Sequence, residues 1–276
     1  MSLKDIQDVC LDILKDVHQF CEKNQIKYTL CGGTLLGAIR HNGYIPWDDD
    51  IDIAMPRPDY DRFINSFRSD KGYQLFSKEA EVNNNVYVAF SRVCEMEKTL
   101  VTSDALPWCD SRTGVWIDIF PLDGAIENRK EVEQKTVTVS KLWYYTMFFR
   151  SSIGSVSSKR KIKTKVKTLF LRIVSLNHVE MITDFITKKL IKQCRTWNYE
   201  KCCYFTSFSY PQHGIKEYLP QKMLSSFSLH KFEDTSFYIM DEYDAWLKAL
   251  FGDYMQLPPV EQRTGHGQHT NNFYWK

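Results

Sequence analysis

Trp47-Asp48-Asp49-Asp50-Ile51-Asp52-Ile53-Ala54-Met55 puts four carboxylates within five residues, a short distance downstream of the pair Gly32-Gly33. Read as a strand over 50–54, the stretch alternates. Asp50 and Asp52 then share one face, about 6 to 7 Å apart, while Ile51 and Ile53 enter a core from the other. Two like charges held on one side of a rigid element raise each other's pKa unless a cation sits between them. A hard divalent ion that prefers oxygen ligands meets that need. The stretch therefore predicts a Mg²⁺ or Mn²⁺ site at Asp50 and Asp52, with Asp48 and Asp49 either reaching the metal through water or only deepening the negative field. The alternative is a solvated acidic turn, which the flanking apolar alternation and the upstream glycines disfavour.

Working outward, 3–21 carries apolar residues at three- and four-residue intervals (Leu3, Ile6, Val9, Cys10, Ile13, Leu14, Val17, Phe20, Cys21), with Ser2 and Asp5 as an N-terminal cap. A strand over 26–31 runs into Gly32-Gly33, a helix follows over 34–40, and then comes the acidic strand. Beyond a helix over 58–67, strands are expected at 73–76, 86–93 and 115–120. Residues 1–125 thus read as an α/β unit. From about 128 the sheet signal fades and 128–150, 158–175 and 178–198 read as helices, so 126–276 is expected to be mainly helical. A last helix over 243–251, closed by Gly252, leads through Pro258-Pro259 into an extended tail that returns to the core.

Composition narrows the function classes. The 276 residues are 43% hydrophobic and 25% charged, an ordinary globular balance, and the formal net charge of +2 argues against a general nucleic-acid binder. Eight cysteines are scattered, Cys202 and Cys203 being adjacent, which is unlike a secreted disulfide framework. With no signal peptide in view and no apolar run of spanning length, a cytoplasmic enzyme is expected.

The second acid of interest is Asp118, set in the apolar run Val115-Trp116-Ile117-Asp118-Ile119-Phe120. A carboxylate inside such a strand is costly unless something needs it. If this strand lies beside the acidic one, Asp50, Asp52 and Asp118 surround one or two metal ions, an arrangement suited to phosphoryl or nucleotidyl transfer. The third acid would then orient or deprotonate the attacking hydroxyl. Gly32-Gly33 lets the main chain approach a phosphate, with the N–H groups of the next helix facing it.

The run Cys31-Gly32-Gly33-Thr34-Leu35-Leu36-Gly37-Ala38-Ile39-Arg40-His41, followed by Gly43-Tyr44-Ile45-Pro46-Trp47-Asp48-Asp49-Asp50-Ile51-Asp52, closely resembles the LicD family of phosphocholine and phospho-alditol transferases. It is more distantly similar to the fukutin-related proteins. Leu257-Pro258-Pro259-Val260-Glu261-Gln262-Arg263-Thr264 and the terminal Tyr274-Trp275 look like the family's closing segment, with a departure at Gly265-His266-Gly267-Gln268. The resemblance implies a nucleotidyltransferase-type mixed sheet with flanking helices. Asp50, Asp52 and Asp118 would hold metal, and Gly32, Gly33 and Thr34 would cradle phosphate. The donor would be a CDP-alcohol such as CDP-choline, and the acceptor a sugar of a surface glycan or of its lipid-linked precursor. CMP would be released.

Arg40 is a candidate phosphate ligand because a guanidinium forks onto two phosphate oxygens. Arg263 would close over the donor in the same way. His266 and His269 lack further ligands nearby in sequence and read as a polar tail. From 151 to 179 there is no Asp or Glu, while seven Lys and Arg fall between Lys159 and Arg172. As a helix over 158–175, this segment either docks peripherally on an anionic membrane face or packs its apolar side on the core. Two other functions remain open: transfer of the nucleotide itself with release of pyrophosphate, and a non-catalytic membrane-associated scaffold.

Overall fold

A computed structural model describes residues 1–83, 86–103, 113–150, 176–263 and 271–276. The N-terminal periodicity becomes α1 (Leu3–Asn24), closed at its start by the expected capping box. Ser2 Oγ accepts from the Asp5 N–H, and Asp5 returns the bond to the Ser2 N–H. Its apolar stripe, Ile6, Cys10, Ile13, Leu14, Val17 and Cys21, is buried.

After β1 (Thr29–Leu30), α2 spans Gly32–His41, so the glycine pair opens the helix itself. Then come β2 (Asp52–Pro56), α3 (Arg57–Ser66), β3 (Gln74–Ser77), β4 (Ser91–Cys94), β5 (Thr99–Ser103) and the ten-residue β6 (Trp116–Ala125). The main sheet has the order β1-β2-β6-β4-β3. β2 and β6 run parallel, and every other pairing in it is antiparallel. This mixed sheet, with helices packed on it, is the α/β architecture expected.

Two expectations are corrected. The acidic strand begins at Asp52, not at Asp50. The Asp48 N–H closes a turn onto the Ile45 carbonyl, and the ladders to β1 and β6 start only at Ile53 and Asp52. Asp50 therefore reaches the site from a loop. Nor does the sheet end at 125. α4 (Arg129–Arg150) and α5 (Leu176–Cys194) pack together as helices, but β7 (Tyr204–Thr206) then pairs with the second half of β6, and β8 (Leu219–Pro220) pairs with β7. A hairpin follows, β9 (Phe227–Phe232) and β10 (Thr235–Met240), then α6 (Tyr243–Phe251) and β11 (Asn271–Trp275).

One large apolar core joins α1, α2 and the main sheet to Phe205, Met223, Phe232, Phe237, Ile239, Trp246 and Leu250. A smaller one, with Val132, Val139, Leu190 and Phe208, sits under α4 and α5. Strand β11 pairs with β5, which brings the tail back to the first half of the chain. The basic stretch 158–175, His266 and His269 lie outside the described residues. Among the described residues no helix is long and apolar enough to cross a membrane.

Candidate active site

The parallel register of β2 and β6 sets Asp52 directly beside Asp118. Backbone bonds lock the surroundings: the Asp118 N–H donates to the Ile51 carbonyl (2.9 Å) and the Cys31 N–H to that of Asp52 (3.1 Å). The Thr34 hydroxyl oxygen accepts the Asp52 N–H at 2.8 Å, which ties the start of β2 to the first turn of α2. Thr34 thus holds the acidic strand, a duty besides the phosphate contact expected of it.

Asp48, Asp49 and Asp50 come from the loop before β2, and each offers a carboxylate oxygen, all within 4.8 Å of one another. The loop is braced from α1, where Gln7 Nε2 donates to the Asp48 carbonyl (2.8 Å) while Tyr44 donates to the Gln7 carbonyl (2.7 Å). Desolvation first, then the charges of Asp48, Asp49 and Asp118, raise the Asp50 pKa well above the usual carboxylate range. Asp52 is raised in the same way by desolvation and then by Asp50, Asp118 and Asp48, with Arg92 opposing. A crowd of all-oxygen donors whose charges destabilise one another suits a hard divalent cation such as Mg²⁺ or Mn²⁺. The three loop aspartates bring their oxygens within reach of one ion, with Asp52 and Asp118 beside them on two parallel strands, and this all-oxygen set fits that group.

The glycines face these acids. Gly32 has φ +54°, in the left-handed region, and a Cβ there would lie 3.3 Å from Asp52 Oδ2. A Cβ on Gly33 would stand 2.8 Å from Asp48 Oδ2. Cys31 at the N-cap of α2 gives the first turn no side-chain cap. The helix start thus presents bare backbone to the acid cluster, which is where a phosphate neutralised by metal would sit.

Arg92, on β4, escaped notice in the sequence. Its Nε donates to Asp118 Oδ1 at 2.8 Å, and its guanidinium lies 4.5 Å from the Trp116 ring centre. The hint was an Arg inside the apolar run Phe90-Ser91-Arg92-Val93-Cys94. Arg40 is placed differently from a free phosphate ligand, since it donates to the Tyr254 carbonyl (2.8 Å) and to His41 Nε2 (3.0 Å). Burial and the charge of Arg263 lower its pKa, so the two guanidinium groups are neighbours. Arg263 donates to the Pro258 carbonyl and lies over Trp47, the residue before Asp48. Both cations therefore stand at the flank of the acidic loop.

On the other side of Asp52 is a cavity bordered by Phe120, Tyr210, Glu217 and Trp246. Phe120, Tyr210, Glu217 and Trp246 were not legible as a site in sequence: Tyr210 and Glu217 come from a stretch without a recognisable pattern, and Phe120 and Trp246 belong to an expected strand and an expected helix, where they read as core.

The profile of the family described as "LicD/FKTN/FKRP, nucleotidyltransferase domain" matches residues 25–148. The chain is 30% identical over 272 residues to the lipopolysaccharide cholinephosphotransferase LicD of Haemophilus influenzae, covering 96% of each protein. It is 38% identical over 85 residues to an uncharacterized protein of Rickettsia typhi, 30% of this chain and 25% of that one. An uncharacterized protein of Rickettsia prowazekii is 53% identical over 47 residues, 17% of this chain and 18% of its own length.

Proposed function

The chain belongs to the LicD family, and from that membership we propose that it is a phosphocholine transferase acting on a cell-surface glycan, such as lipopolysaccharide, or on its lipid-linked precursor. The donor is CDP-choline or the CDP derivative of a related alcohol. A sugar hydroxyl attacks the β-phosphorus. The bond from that phosphorus to the bridging oxygen breaks, CMP leaves with that oxygen, and a phosphodiester joins the alcohol to the sugar. The hydroxyl proton passes to a carboxylate and then to solvent.

The observation that carries this reading is the convergence of Asp50, Asp52 and Asp118 with the bare start of α2 at Gly32 and Gly33. Asp48, Asp49, Asp50, Asp52 and Asp118 are the residues that would hold Mg²⁺ or Mn²⁺. When bound, the ion supplies neutralisation of the phosphate oxygens and of the charge that grows on the leaving CMP. Arg92 fixes Asp118 through Oδ1, which orients the carboxylate proposed to take the proton. Gly32 and Gly33 admit the phosphate to the backbone. Arg40 and Arg263, at the edge of the acidic loop, are proposed to meet the donor's outer phosphate when it displaces their carbonyl partners.

The test is CMP release from CDP-choline, CDP-ribitol and CDP-glycerol, with a glycan acceptor, with and without Mg²⁺, and with Asp52→Asn as control. Metal-dependent CMP from one donor, lost in the variant, supports the reading and names the alcohol. Pyrophosphate release from a nucleoside triphosphate, with no CMP from any donor, replaces it with nucleotidyl transfer.

A further inference from the structure

Beside Asp52 and Gly32 the fold leaves a cavity of about 50 Å³. One water needs about 10–15 Å³ on the same scale, so the space holds roughly four non-hydrogen atoms. The wall contains one buried carboxylate, Glu217, which is 7% exposed. Among the described residues no Lys or Arg forms an ion pair with it. Its company is aromatic. Tyr210 is fixed against Phe120 (ring centres 5.5 Å apart) and edge-on to Phe90 (6.1 Å) and Trp143 (6.0 Å). Trp246 is buried edge-on to Phe205 at 6.0 Å, and its indole N–H lies near the carboxylate without closing a hydrogen bond of ordinary geometry.

The ingredients are the Glu217 carboxylate with that of Asp52 at the cavity's edge, rings held rigidly, and, among the described lining residues, no Lys or Arg; the one imidazole, His213, has its pKa lowered by burial and then by Lys216. A metal ion would ask for six or more oxygen ligands, which this wall does not offer. An alkylated ammonium has the opposite needs: it donates no N–H, it carries a diffuse positive charge, and it gains from a ring face and a nearby carboxylate out of water. A trimethylammonium group has four non-hydrogen atoms, and in phosphocholine only two methylenes and an ester oxygen separate it from phosphorus. The cavity shares Gly32 and Asp52 with the phosphate side of the site.

We propose that this cavity is the subsite for the quaternary ammonium group of the donor, with Glu217 as its counter-charge and Tyr210 and Trp246 as its ring walls. The assignment rests on the phosphocholine reading above and deepens it, making Glu217 the residue that selects choline over uncharged alcohols. Burial pushes the Glu217 carboxyl up to about 8, and a cation held beside it out of water would favour its charged form. A bound ammonium restores the charge.

The experiment uses the full-length protein and two readouts. In the first, tetramethylammonium chloride is titrated at constant ionic strength and binding is followed by thermal shift and calorimetry. Wild type is expected to bind, and Glu217→Gln and Tyr210→Leu to lose binding by on the order of 10-fold. In the second, KM is measured for CDP-choline and CDP-glycerol. The ratio of the two is expected to shift by about 10-fold against choline in Glu217→Gln, with kcat changed less. Circular dichroism checks that each variant folds. Wild type that ignores tetramethylammonium overturns the subsite whatever the donor. Wild type that uses CDP-choline, with both variants keeping its preference for choline, overturns it while leaving the phosphocholine reading intact. Binding of tetramethylammonium without turnover of CDP-choline would instead remove the donor assignment and retain a cation pocket.

Discussion

Asp52 and Glu217 are both carboxylates that folding makes harder to ionise, and each yields a prediction with the same sign. A folded-state pKa above the unfolded one gives stability that is complete below the unfolded pKa and is lost as pH rises through the folded one. For Glu217 the window runs from its ordinary 4.5 to about 8. Between pH 5 and 8 the ligand-free protein should lose stability that Glu217→Gln keeps, a difference on the order of 3 kcal/mol at pH 7 as an upper bound. Melting both proteins across that range checks it, and parallel pH profiles would refute it. Asp52 has the same trend from desolvation and its neighbours Asp50, Asp118 and Asp48. Asp52→Asn should therefore melt no lower than wild type without metal. Wild type should gain about 5 °C or more in saturating Mg²⁺, with the variant gaining little. Equal gains in both would remove Asp52 from the metal set. The acids were legible because four of them crowd one short stretch. Their division was not, since only the end of the turn at Asp48 decides that Asp50 hangs from a loop. Glu217 carried no signal: a single Glu in a polar stretch reads as surface until the fold buries it.

At the level of elements, β6 explains how the site is held. Its first half carries Asp118 between β2 and β4, and its second half carries Asp123, which is 1% exposed and bonded to Arg57 Nε at 2.8 Å. Arg57 opens α3, reaches Glu79 at 3.0 Å and lies 5.0 Å from the Tyr60 ring centre. One buried guanidinium thus pins α3 to β6 directly behind the acids. Arg57→Met should cost about 3–5 kcal/mol, because Asp123 is left as a buried charge without its bonded cation and Glu79 keeps only Arg195. Urea unfolding measures this, and a further Asp123→Leu substitution should recover part of the loss. A double variant no better than the single would show that packing, not charge, dominates. Helix α1 could be read at this scale from its cap and stripe. The β9–β10 hairpin could not, since its turn is Glu233-Asp234 where Asn-Gly or Asp-Gly would have announced it. Glu233 takes a φ of +56°, which the fold sustains: Glu233 Oε1 accepts the Tyr44 N–H, and the Glu233 N–H donates to the Asn42 carbonyl. Tertiary bonds replace the turn residue that local chemistry would choose.

Across the whole molecule, the two ends of the chain meet behind the carboxylates. The N-terminal ammonium donates to the Phe273 carbonyl at 3.0 Å, and Phe273 stacks on Trp116 at 6.4 Å. Trp116 in turn lies under the Arg92 guanidinium that holds Asp118. A contact made by the last strand is therefore relayed through a stack of ring, ring and cation to a carboxylate of the site. The relay predicts a split between two substitutions at one position. Phe273→Leu keeps apolar volume and should cost about 1 kcal/mol of stability. Phe273→Ala opens a gap beside Trp116 and should cost about 3 kcal/mol, within the range for a buried aromatic, less for its partial exposure. If Asp118 depends on this stack, Phe273→Ala should lower kcat severalfold at a temperature where the variant is fully folded, with KM for the CDP donor nearly unchanged. On the proposed reading the donor's phosphates meet the protein at the start of α2, away from the stack. A fall in stability with kcat intact would mean that β11 only covers the edge of β5, and that Arg92 holds Asp118 without help from the tail.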